Sequence, residues 1–439
     1  MSAPLSVVRI APLTERRLLA RLAAVQVEGR LPSVVAALLR EGRLVWSAGY
    51  GDVPGDPLDV QYRIGSITKT FTAVLVMQLV VDGVASLEDR ASRWLGADVP
   101  FADRSLRELL VHDGGLPAEP AGEWWERRDG GSFEELAASN ASAHGVFGRG
   151  ERFHYSNLGY GLLGEVVAQV HGQSWWEALR TRVLAPLGMN RTTYEPLKPH
   201  AQGFSVHPYA GTLSPEPHTD TGAMAPAGQL WSTLSDLTGY TRFLLDGHPD
   251  VLPRDMLGLM ATPRAGTPGA GLTQAHGLGL QLWPGGSGTL VGHTGSMPGF
   301  VAGCFVDPQR RTGAVMLCNG TTGVRTASTL AGMLEEMETW EPTVPAPWRP
   351  TVAVPAEYAE LLGVWHWGNT PHVFSAEGAD LVVRVNGAEQ YRYRFDGDRI
   401  VGIWGYQAGE QLRVVRSESG SVSHLDLATF RLTREPYGA

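Results

Sequence analysis

The stretch QYRIGSITKTFTAVLVMQLV, Gln61–Val80, constrains the rest of the chain most. After Arg63 its only charged residue is Lys69, three positions beyond Ser66. An apolar run with no polar face reads as a helix covered on all sides. Other elements must therefore be laid around it, and Lys69 must either solvate its charge or use it. Residues i and i+3 share a helix face, so the Lys69 amine lies within reach of the Ser66 hydroxyl. A serine hydroxyl needs a base to act as a nucleophile. Burial disfavours the charged form of a lysine and so supplies one. S-x-x-K alone is weak evidence and reads first as a capping serine with a snorkelling lysine.

Elements to cover that helix flank it in the sequence. TERRLLARLAAVQVEGRL has helical apolar spacing, and SVVAALLREGRLVWSAGYGD reads as two strands joined at REGR. The middle, from Leu106 to Leu252, reads as mostly helical with Gly and Pro breaks. From GLGLQLW through TLVGHTGSMPGFVAGCFVDPQRRTGAVMLCNG the pattern is strand, turn, strand, before a closing helix in TASTLAGMLEEMETW. Early and late strands are expected to share one antiparallel sheet with the helical middle on one side. Cys304 and Cys318 are expected as buried, reduced thiols.

A proline-rich segment, EPTVPAPWRPTVAVP, marks a boundary. The expected division is a catalytic domain over 1–340, a linker over 341–351 and a second domain over 352–439. Beyond the linker, LVVRV, QYRYRF, RIVGIW, QLRVVR and VSHLDLATFRLTR alternate as half-buried strands, the pattern of a small barrel.

Two further motifs join Ser66 and Lys69. In RFHYSNLGYGLLGEVV, Tyr155 and Asn157 stand just before an apolar helix. A tyrosine phenol shuttles protons when a cation lowers its pKa, and an asparagine amide holds a carbonyl. GYGLLG in the same stretch matches G-x-G-x-x-G, but no strand leads into it, so a dinucleotide site is excluded. In GHTGSMPGF, His293 and Thr294 lie on a strand, and Gly295 permits close backbone approach to a ligand. The Ser296 amide is a candidate oxyanion donor.

In the order S-x-x-K, Y-x-N, H-T-G, these motifs resemble the serine β-lactamase and penicillin-binding-protein superfamily. The likeness is greatest to class C β-lactamases, D-alanyl-D-alanine carboxypeptidases, D-aminopeptidases and related esterases. LRELLVHDGGLP, LAPLGMNRTTY and PAGQLWSTLSDLTGY support it across Leu31 to Trp340. The resemblance implies an α+β fold: an antiparallel sheet with a helical domain, followed by a lipocalin-like barrel. It implies that Ser66 forms an acyl-enzyme and that Lys69 and Tyr155 activate it. Asn157 would contact Lys69 and the substrate amide. His293 would bond Tyr155 or position the incoming group, and the Ser66 and Ser296 amides would hold the oxyanion. Thr294 and Trp231 are expected to touch substrate, and the Trp124–Trp125 pair to border the cleft. His112 and Asp113 are expected to be structural. The motif departs from the Lys-Thr-Gly of β-lactamases, and a neutral histidine attracts a substrate carboxylate less firmly.

The formal net charge of −9, without a basic stripe, excludes a nucleic-acid surface. No run approaches a membrane span, and the first residues lack the pattern of an export signal, so a cytoplasmic protein is expected. No Cys/His cluster has metal-ligand spacing, and no cofactor is expected. The two-domain layout resembles stand-alone penicillin-binding-protein-type thioesterases. These accept a peptidyl substrate from a carrier protein in nonribosomal synthesis and cyclise it head to tail. Other activities compatible with the motifs are a cytoplasmic esterase, a D-aminopeptidase or D-amidase, and a weak β-lactamase. The non-enzyme alternative is a slowly acylated penicillin-binding receptor.

Overall fold

The computed structural model describes residues 10–266, 275–286, 288–321, 323–344, 347, 354 and 356–438. The chain divides into two compact units, 1–343 and 344–439. Most of the linker expected over 341–351, and residues 1–9 of the stretch read for an export signal, lie outside the described residues.

In the first unit, helix α1 (Pro12–Gly29) precedes strands β1 (Ser33–Arg40) and β2 (Arg43–Gly51), which turn at Glu41 and Gly42. Six later strands extend the sheet: β3 (Ala265–Gly266), β4 (Ala275–His276), β5 (Gln281–Pro284), β6 (Thr289–Met297), β7 (Phe300–Asp307) and β8 (Thr312–Cys318). The order is β2-β1-β8-β7-β6-β5-β4-β3. The first hairpin therefore pairs with the last strand, Ala36 opposite Met316, and the sheet is antiparallel throughout.

β1 and β8 are buried on both faces, which explains their continuous rather than alternating apolar sequences. On one face Leu18 and Leu22 of α1 pack with Ala36, Met316, Leu330 and Met333. Leu330 and Met333 belong to the closing helix, Thr326–Trp340. On the other face Val35, Ala37, Val315 and Leu317 join the larger core containing Phe71, Leu75 and Leu163. The apolar helix α2 (Thr68–Val81) runs through that core, buried from Thr68 to Leu79. Burial of its whole circumference follows from having no polar face to offer water.

The middle is less helical than its sequence suggests. Helices Asn157–His171 and Leu234–Asp246 form, but much of 111–156 is irregular, with a short helix at Phe133–Ser139. Its backbone takes left-handed conformations at His112 and Gly115, which a helix does not tolerate. Cys304 and Cys318 are buried free thiols on β7 and β8, and burial pushes each up to about 12. No helix among the described residues is long and apolar enough to cross a membrane.

The second unit is an eight-stranded antiparallel meander: β9 (Gly363–Trp367), β10 (Thr370–Glu377), β11 (Asp380–Val385), β12 (Ala388–Asp396), β13 (Arg399–Gly405), β14 (Gln411–Arg416), β15 (Val422–Leu427) and β16 (Phe430–Leu432). Its ends meet where His366 and Thr433 exchange backbone hydrogen bonds of 2.7 and 3.0 Å. The sheet thus closes nearly into a barrel, which removes its open edges. Trp365, Phe374, Leu381, Tyr393 and Leu425 fill its core.

Candidate active site

Ser66 lies in a 3-10 turn, Gly65–Ile67, that runs into α2. It does not cap the helix: no side-chain cap bond exists at either helix start. Its partners are Lys69, whose Nζ is 2.9 Å from Ser66 Oγ, and the hydroxyl of Tyr155. Lys69 is fully buried, and Nζ donates to the Ala227 carbonyl at 2.7 Å. Burial lowers its pKa to about 7, against the opposing pull of Glu119 and Glu126. A neutral amine is thus present at physiological pH. In that state the 2.9 Å contact runs from the serine O–H to the Nζ lone pair.

Tyr155 behaves differently from the sequence expectation. Burial pushes its phenol well up, and the bond to Ser66 only partly opposes this. Lys69 does sit 5.1 Å from the ring centre, yet it does not hold down the phenol. The Tyr155 phenol therefore stays protonated, and Lys69 is the neighbour of Ser66 that is partly neutral near pH 7. Three imidazoles surround the Tyr155 ring: His112 stacked at 4.2 Å, His276 at 6.0 Å and His293 at 6.1 Å. Burial keeps all three neutral, with His276 lowered to about 4. His112 also accepts the Ser156 amide at Nδ1, 3.0 Å, and so fixes the backbone beside Tyr155.

Ser156, not Asn157, caps the next helix by accepting the Gly159 amide. That leaves the Asn157 side chain outside the helix cap. It contacts Glu119 rather than Lys69: Nδ2 donates to both carboxylate oxygens, at 2.8 and 2.9 Å. Among the described residues its buried Oδ1 has no hydrogen-bond partner. An ionised carboxylate only accepts, so this amide orientation is set by Glu119. Trp125 Nε1 donates to the same carboxylate at 2.7 Å.

Two glycines bring the oxyanion candidates together. A Cβ on Gly65 would lie 2.5 Å from the Ser296 nitrogen, and its φ of +52° suits glycine. A Cβ on Gly295 would lie 1.9 Å from the Ile64 carbonyl and 3.2 Å from the Ser66 nitrogen. The Ser66 and Ser296 backbones are consequently in direct apposition. His293 Nδ1 bonds the Thr294 carbonyl, which leaves Nε2 as its acceptor. Thr294 donates its amide and hydroxyl to Gln281 Oε1, at 3.0 and 3.1 Å.

Ser66, Tyr155, His293, Thr294 and Ser296 line a cleft of about 840 Å³, with Gln281 and Arg325. Trp231 does not line it. It is 1% exposed and packs edge-on to Phe300 and His218, so it supports the core instead of meeting substrate. Trp124 and Trp125 border a separate hollow with Glu119 and Glu126. Glu119, Gln281 and the Ala227 carbonyl were not singled out from sequence. Gln281 had a signal, as the one polar residue in GLGLQLW; Glu119, in an irregular loop, had none.

Glu119 offers a test of the electrostatics. Its charge raises the Lys69 pKa, so Glu119→Gln moves the rising limb of kcat/KM to lower pH. The shift shrinks in high salt because Glu119 is exposed. A limb that stays fixed while activity falls would make Glu119 a support for Asn157 alone.

A family model described as Beta-lactamase matches residues 16–335. One described as Domain of unknown function (DUF7586) matches 354–434. "Beta-lactamase-like protein 2" of Dictyostelium discoideum is 30% identical over 252 residues, 53% of this chain and 46% of that protein. The chain spans about half to three fifths of the length of the curated relatives it matches. Among solved structures, a D-stereospecific amidohydrolase from Streptomyces sp. superposes with a TM-score of 0.62 at 25% identity, covering 74% of this chain and 98% of that one. SurE with D-Leu gives 0.59 at 25% identity, covering 97% and 100%.

Proposed function

The chain belongs to the beta-lactamase family, and from that premise we propose that it transfers acyl groups through Ser66, with a peptidyl ester, thioester or amide as donor. The observation that carries this is a fully buried lysine, its pKa lowered to about 7, 2.9 Å from a cleft-lining serine. Ser66 Oγ attacks the acyl carbonyl while its proton passes to Lys69 Nζ. The oxyanion forms at the apposed Ser66 and Ser296 amides. The intermediate collapses with loss of a thiol, alcohol or amine, which receives the proton held by Lys69, directly or relayed through the Tyr155 hydroxyl, which gives one proton as it takes up another. An amine or water then attacks the acyl-enzyme by the reverse proton path.

The preferred job is head-to-tail cyclisation of a peptide delivered by a carrier protein. A cleft of about 840 Å³ suits an extended peptide better than a single residue. The neutral His293 neither demands a carboxylate nor repels an incoming amine. A tethered amine has a high effective concentration over the acyl-enzyme, which lets it compete with water. The structures of a D-stereospecific amidohydrolase and of SurE with D-Leu favour a donor whose C-terminal residue is D.

The test is a peptide thioester ending in a D-residue, followed by mass spectrometry. The expected product is the cyclic peptide, at the linear mass less the leaving thiol. Linear acid alone would replace cyclase by hydrolase, the esterase or D-amidase reading. A stable adduct without turnover would make the protein an acylated receptor.

A further inference from the structure

We propose that the interior of the C-terminal barrel is a binding site for one small, uncharged aromatic molecule bearing a carboxamide or phenol. The barrel holds a cavity of about 170 Å³. Trp367, Phe374, Tyr391 and Phe430 contribute its aromatic walls. Trp367 and Phe430 meet edge to face at 5.0 Å, while the His372 and Tyr391 rings are parallel within 4° at 6.3 Å.

Three polar side chains also line it: His372, Tyr393 and Gln407, exposed by 6, 1 and 4%. His372 Nδ1 faces the Thr370 carbonyl at 3.0 Å, so Nε2 is left as an acceptor. Among the described residues, neither the Tyr393 hydroxyl nor the Gln407 amide has a hydrogen-bond partner. Buried polar groups are almost always paired, and a buried tyrosine hydroxyl usually finds a partner. The Tyr393 hydroxyl, the Gln407 amide and His372 Nε2 open on one cavity, where a single ligand would complete all three.

The chemistry of the lining defines that ligand. Among the described residues no Asp, Glu, Lys or Arg lines the cavity, so a charge would enter uncompensated. The volume excludes a long acyl chain: an engineered cavity of roughly 150 Å³ takes up benzene. Aromatic walls favour a flat body. Gln407 offers both a donor and an acceptor, the complement of another carboxamide, while His372 Nε2 takes a further N–H or O–H. Trp367 and Tyr406, exposed by 48 and 85%, give an aromatic approach to the cavity.

The test is isothermal titration of the full chain with benzamide, and with toluene and benzoate as apolar and charged controls. Benzamide is expected to bind at least about tenfold more tightly than either control. Tyr393→Phe and Gln407→Leu, each checked for an unchanged circular dichroism spectrum, should weaken benzamide by about 5- to 10-fold. Neither should weaken toluene. The proposal is overturned if benzamide does not bind the wild-type chain, if it binds no better than toluene, or if both substitutions leave its affinity unchanged.

Discussion

Ser66→Ala lowers acyl transfer by at least about 10^4-fold and abolishes the mass adduct formed with an activated D-residue ester. The expectation separates two roles that the S-x-x-K pattern leaves together. A capping serine contributes stability, about 0.5–2 kcal/mol on loss, and leaves chemistry intact. Ser66 makes no cap bond, so its removal should hardly change thermal stability. Among the described residues its hydroxyl meets Lys69 and Tyr155, both part of the proposed proton path. The measurements are single-turnover mass spectrometry and a thermal melt on the same preparation. Residual turnover above about a hundredth of wild type would place the nucleophile elsewhere.

The site was legible where short motifs meet regular structure. Ser66 and Lys69 share the start of one helix, and their 2.9 Å contact follows from the i, i+3 spacing. His293, Thr294 and Ser296 sit on a single strand. Contacts made by irregular backbone were not legible. Glu119 reaches Asn157 from a loop, and Lys69 takes the Ala227 carbonyl across 158 residues. The Asn157–Lys69 contact expected from family likeness is replaced for that reason: Glu119 accepts both Nδ2 bonds. Trp231 misled because aromatic residues line clefts and cores alike, and only burial separates them.

Fold legibility followed periodicity. The alternating segments after the proline-rich stretch are barrel strands, since one face of each meets a shared core. The buried sheet was readable because β1 and β8 are apolar on both faces. The region between the S-x-x-K and Y-x-N motifs was not. Its scattered apolar residues suggested helices, whereas the backbone is held by side-chain bonds such as Arg104 to the Gly114 carbonyl at 2.7 Å. Periodicity carries no information about such loops, although they build much of the site.

Lys69→Met should lower kcat/KM by about 10^3-fold while making the protein relatively more stable at low pH. The kinetic part follows from loss of the base. Wild-type activity rises with pH through about 7, as the amine becomes neutral, and the variant loses that limb. The stability part follows from linkage. In the unfolded chain Lys69 titrates near the ordinary lysine value of 10.5, whereas burial lowers it to about 7 in the fold. Between these values the unfolded chain binds a proton that the folded one lacks, so wild-type stability rises with pH across that window. Below about 7 the fold carries the full penalty of a buried charge, and above 10.5 none of it. Methionine has no such term, although it leaves the Ala227 carbonyl without its donor, a cost independent of pH. The melting difference, variant minus wild type, should therefore be largest below pH 7 and fall steadily as pH rises. A pH-independent difference would mean that Lys69 is solvated in the folded protein and is not the neutral base. The same result would remove the physical reason for placing a lysine on a helix buried on every side.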